Sequence, residues 1–101
     1  MRRGSTATLT FEIDKKIDCS QIDKLEIDFG HGKNIVLVKE ISDCSINGNE
    51  ISVTLSEEET LRFDYKKNPV AIQLRIGIGG ARIPTPIVYR RIEDVIREGG
   101  L

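Results

Sequence analysis

Apolar and polar residues alternate with period two along most of the chain, the spacing of strands that bury one face. Leu9, Phe11 and Ile13 alternate with Thr8, Thr10 and Glu12, and Leu25, Ile27 and Phe29 alternate with Glu26 and Asp28. Gly30-His31-Gly32-Lys33-Asn34 then reads as a turn, followed by Ile35–Val38, a strand apolar on both faces that is expected to be central or to pack on a partner. Asn47-Gly48 marks a hairpin leading into Ile51, Val53 and Leu55. The clearest alternation is Val70, Ile72, Leu74, Ile76 and Ile78, which Gly79-Gly80 turns into a return strand over 82–89. Pro84 and Pro86 lack amide donors, which places that return strand at an edge or gives it an irregularity.

One segment departs from this rhythm. Ser56-Glu57-Glu58-Glu59 has the spacing of a capping box, and no long 3.6-residue period follows, so a single short helical turn is expected. Residues 92–101 read either as a last strand or as a short helix stopped by Gly99-Gly100, with a strand or extended arm favoured. Six to eight short strands at this spacing predict an all-β chain, an immunoglobulin-like antiparallel β-sandwich, forming one domain over 1–101. The Cys–Trp–Cys core of antibody domains is absent, because the chain has no Trp.

Composition narrows the functional classes. Fifteen Lys+Arg against sixteen Asp+Glu give a formal charge of -1, a balance that argues against a grip on phosphate backbones or an anionic membrane. Nucleic-acid and membrane partners are therefore not expected. No run approaches the roughly 20 apolar residues of a membrane-spanning helix, and no signal-peptide pattern follows Arg2-Arg3. Cys19 and Cys44 form no Cys-x-x-Cys pair and are expected as reduced thiols in a cytosol-like compartment, although a bridge between them is geometrically open.

Candidate chemistry is sparse. His31 is the only histidine, and its position between two glycines suggests a solvated turn, poorly suited to general-base work. One His and two distant Cys do not build a zinc shell. Asp14, Asp18 and Asp23 do not have the spacing of a calcium loop, and Glu57-Glu58-Glu59 is explained by the helix dipole. Gly77–Arg82 follows a strand but lacks the Gly-Lys-Ser/Thr and the helix of a phosphate loop. No catalytic residue, cofactor or metal site is expected. Tyr89-Arg90-Arg91 and the basic start Arg2-Arg3 are the contact candidates, since Tyr and Arg are enriched in interfaces.

Read as a whole, the chain resembles a family of small proteins of about 100 residues encoded in phages and prophages of Gram-positive bacteria. The likeness runs through Arg3–Thr8, where Ala7 stands in a position commonly proline, through Ile46–Leu61, through Val70-Ala71-Ile72-Gln73-Leu74-Arg75-Ile76, and through the ending Ile92–Leu101, where Gly100 replaces a usual aliphatic residue. The family supplies no catalytic residues to carry over. It implies a prophage origin and a virion or tail-assembly role, in the tail or baseplate, in the cytoplasm of a bacterial host or in its particles. The expected function is thus a non-enzymatic structural or assembly protein that pairs with other phage structural proteins or with itself as a homo-oligomer. A cell-surface or carbohydrate recognition module is the alternative, weakened by an aromatic content of 5%; a small hydrolase using His31 is the enzymatic one.

Overall fold

A computed structural model describes residues 4–67 and 69–91. Eight strands form two antiparallel sheets: β1 (Ala7–Glu12), β2 (Lys24–His31), β3 (Asn34–Glu40), β4 (Cys44–Asn47), β5 (Glu50–Leu55), β6 (Val70–Ile78), β7 (Ala81–Ile83) and β8 (Val88–Arg90). One sheet has the order β1-β5-β4, and the other the order β3-β2-β6 with β7 and β8 both paired to β6. Lettered as in an immunoglobulin domain, these are positions B-E-D and C′-C-F-G, so the connectivity is the expected Greek key. Position A, the strand that flanks B, has no counterpart among the described residues.

The alternation read from the sequence is what closes the two sheets on each other. Phe11, Ile51, Val53 and Leu55 from one sheet meet Leu25, Ile27, Phe29, Ile72, Leu74 and Ile76 from the other, all buried. Each large apolar side chain removed from water in this way stabilises the fold by about 1.5–3 kcal/mol. Phe63, delivered by the β5–β6 connection, closes one end of the core with its ring 5.9 Å from that of Phe29.

Turn chemistry sets the registers. In the β4–β5 hairpin the two loop residues are Gly48 and Asn49, and Gly48 has φ +60°. Among the described residues no non-glycine has positive φ, so Gly48 takes the first loop position of a type II′ turn rather than the second of type I′. Gly79 and Gly80 both have positive φ and form the type I′ turn between β6 and β7. Ser56 caps helix α1 (Glu57–Leu61) through the expected capping box. The Thr60 hydroxyl, fully buried on α1, accepts from the Gly4 N–H (2.8 Å) and donates to the Ser5 carbonyl (2.9 Å), tying the entry of β1 to the helix.

Two strand expectations are resolved, one of them in favour of its second alternative. Of the two readings of Ile35–Val38, the central one fails, because the segment belongs to an edge strand, β3; packing on a partner stays open. A bulge opposite Phe29/Gly30 inserts Val36 as an extra residue, so only Leu37 enters the core while Ile35 and Val38 share the outer face. The return strand is at an edge and is also interrupted, as β7 and β8, by Pro84-Thr85-Pro86. The break leaves the Leu74 carbonyl of β6 without a strand N–H, and the Thr85 hydroxyl donates to it instead. Thr85→Val keeps the shape and removes that donor. It is expected to cost about 1–2 kcal/mol, readable as a lower urea midpoint at unchanged m-value.

Candidate interaction surface

The outer faces of the two sheets are chemically unlike. On the three-stranded sheet, Thr8 meets Thr54 (3.0 Å) and Thr10 meets Ser52 (2.9 Å) in a ladder of hydroxyls. On the five-stranded sheet, exposed apolar side chains surround a charged centre. Ile35 (59% exposed) sits opposite Gly30, Val38 opposite Asp28, and Tyr89 (58% exposed) next to Ala71 of β6. Ile87 adjoins Tyr89 in a shallow hollow with Ala71, and Ile41 adjoins Glu26, Arg75 and Arg82 in another of about 490 Å³. These five are the exposed large apolar side chains among the described residues, and all lie on or at the rim of this one face.

The charged centre follows from the same period of two. Glu26 and Asp28 are outward neighbours on β2, and Arg75 of β6 stands opposite Glu26. The Arg75 guanidinium lies 3.5 Å from Glu26 Oε2 and 4.0 Å from Asp28 Oδ2. Asp28 Oδ1 is buried and has no hydrogen-bond partner, and the Asp28 side chain is only 12% exposed. Loss of hydration, with the hydrogen bond and charge of Glu26 added to it, raises the Asp28 carboxyl from 3.8 to about 6, Arg75 offsetting only part. This face therefore holds an acid that is poorly satisfied by its own chain.

The sequence-derived contact candidates separate. Tyr89 belongs to the outer face. Arg90, one residue on, turns to the other side and lines a groove with Thr10, Phe11 and Pro84. Arg91 is exposed just beyond β8. Arg2 and Arg3 lie outside the described residues, as does the segment 92–101, expected as a strand or arm. Ile35 and Val38 lie in the strand expected to be central or to pack on a partner, whereas Asp28 was not singled out by sequence; Ile35 owes its outward position to the bulge, which leaves no local signature.

His31 is not a solvated turn residue. It is the last residue of β2, 9% exposed, and the turn itself is Gly32-Lys33. Its Nε2 accepts from the Asp64 N–H (2.9 Å), which leaves Nδ1–H to donate to the Lys67 carbonyl (2.9 Å). Both nitrogens thus fasten the β5–β6 connection, and the ring stands edge-on to Phe63. Asp14, Asp18 and Asp23 accept from the N–H groups of Lys16, Ser20 and Gly79 respectively, the work of turn carboxylates. Among the described residues no three His, Cys, Asp or Glu side chains gather as a metal site. Cys19 and Cys44 are free thiols, and burial, first of all, raises both. No described helix is long and apolar enough to cross a membrane. Compared with known proteins, the chain matches no family model, no curated protein and no solved structure.

Proposed function

We propose that the chain is a non-enzymatic structural or assembly protein of a phage particle, acting through protein–protein contacts made by the outer face of its five-stranded sheet. The observation that carries this reading is the gathering of Ile35, Val38, Ile87 and Tyr89 around Glu26, Asp28 and Arg75. An apolar rim with a tyrosine and an under-satisfied acid matches what a partner's aliphatic and cationic side chains would cover. The phage setting, with a bacterial cytoplasm or a virion as its location, is supported by the family resemblance alone. Partners are accordingly other structural proteins of the particle.

The test is incorporation of tagged chain into particles or assembly intermediates from phage-producing cells. Tyr89→Ala is expected to weaken incorporation by about 10- to 30-fold, the effect of losing a contact of about 2 kcal/mol. Its thermal midpoint should stay within about 2 °C of the parent, because the ring is exposed in the free chain. Equal incorporation of parent and variant would sink the assignment of this face.

A further inference from the structure

The two sheets have four open edges among the described strands, and three are protected by recognised devices. β3 carries the bulge at Val36 and ends in Lys39-Glu40. β4 is only four residues long, and the β7/β8 edge is broken by Pro84 and Pro86. β1 has only a single terminal charge, Glu12. Its six residues, Ala-Thr-Leu-Thr-Phe-Glu, hold no lysine and no proline, and its register with β5 runs unbroken from Ala7↔Leu55 to Glu12↔Glu50. An unguarded, regular edge of this kind is a template for another strand.

Backbone geometry says which groups it offers. The Ile13 N–H donates to the Asn49 carbonyl (2.8 Å), so the odd-numbered residues of β1 exchange bonds with β5. Antiparallel ladders alternate, and the peptide N–H and C=O groups of Thr8, Thr10 and Glu12 therefore point to the open edge. Beside that edge runs a groove of about 330 Å³ of mixed lining, with Phe11, Ile17 and Leu74 among its apolar side chains and Glu12, Asp14 and Arg90 as its charged ones. It lies where strand A would lie in a complete immunoglobulin domain.

We propose that a second copy of this chain docks there, β1 against β1, antiparallel about a two-fold axis at Thr10. The strand is self-complementary in that register. Thr10 faces Thr10, Thr8 faces Glu12, and Leu9 faces Phe11, so apolar meets apolar, polar meets polar and the two Glu12 carboxylates stay apart. All three outward-pointing residues become hydrogen-bonded pairs, and the three-stranded sheets join into one six-stranded sheet that covers the groove-side edge. The pairing goes beyond the reading of the outer face and stands without it.

Solution mass by light scattering across a hundredfold concentration range is measured for the full chain, Thr10→Pro and Tyr89→Asp. Proline at position 10 removes an N–H that no described strand of the chain uses, so the fold is kept while the dissociation constant of the dimer rises at least tenfold. Tyr89→Asp leaves the dimer unchanged. An independent arm places Thr10→Cys in a Cys44→Ser background: hydrogen-bonded antiparallel pairs hold their Cα atoms about 5.5 Å apart, within disulfide reach, so it oxidises to a covalent dimer. Thr8→Cys in the same background, facing Glu12, does not. A chain that is monomeric throughout, a dimer that survives Thr10→Pro, or Thr8→Cys cross-linking as readily as Thr10→Cys would each overturn the proposal. A dimer lost in Tyr89→Asp but kept in Thr10→Pro would move self-association to the outer face.

Discussion

His31→Ala is expected to destabilise the protein by about 3 kcal/mol, lowering the thermal midpoint by about 12–24 °C. Three losses add. The Asp64 N–H and the Lys67 carbonyl each forfeit a bond in a half-buried setting, at about 1–3 kcal/mol per group before water repays part of it. The edge-on contact with Phe63 goes as well, opening space beside a fully buried ring. For a domain of this size, whose total stability is on the order of 5–15 kcal/mol, that is a large share. His31→Phe separates the terms, since it keeps a ring against Phe63 and removes both hydrogen bonds. It should still lose about 2 kcal/mol in urea unfolding. A His31→Phe protein as stable as the parent would show that the bonds to the connection contribute nothing.

Asp28→Asn is expected to act in the opposite direction, raising stability at pH 7 by about 2 kcal/mol. The folded carboxyl titrates at about 6 rather than 3.8, so the folded chain holds this proton more tightly than the unfolded chain does. Whatever Asp28 contributes is therefore fully favourable below about pH 4 and is lost as pH rises through 6; above that, the fold carries a poorly solvated carboxylate. Two units correspond to about 3 kcal/mol, and solvent screening beside the half-exposed Arg75 reduces what is realised. Chemical denaturation between pH 4 and 8 should show the parent losing stability over pH 4–6 relative to Asp28→Asn, whose curve lacks that component. Equal stability of the two at pH 7 would mean that Asp28 is better solvated than its 12% exposure implies. The retained cost also fits the functional proposal, because an acid that weakens the free chain is explained if a partner's cation satisfies it.

How much of this was legible depends on whether the signal is local. Period-two alternation placed β1, β2, β5 and β6 and oriented their faces, because each buries one side. The turn at Gly48 and the capping box at Ser56 were legible for the same reason: turn and cap chemistry act within four residues. Non-local features were not. His31 sits in a Gly-His-Gly sequence that reads as a turn, and its partners are backbone groups 33 and 36 residues further on, which leave no side-chain signature. Which residues of the Ile35–Val38 strand face outward was hidden by one extra residue. Four consecutive apolar residues, Ile35–Val38, suggest a strand buried on both sides, yet the bulge at Val36 gives one to the core and two to solvent. Tyr89 was found from composition at a strand end, but its separation from Arg90 follows from the pleat and from pairing with β6.

The most direct test of the central claim is hydroxyl-radical footprinting of the chain, free and incorporated into particles or assembly intermediates. The expected result is strong protection of Ile35, Ile87 and Tyr89 on incorporation, with Lys15 and Lys16 in the β1–β2 connection unchanged. Ile35, Ile87 and Tyr89 remaining as reactive as in the free chain would contradict it, since the outer face would then be open to solvent in the assembled state.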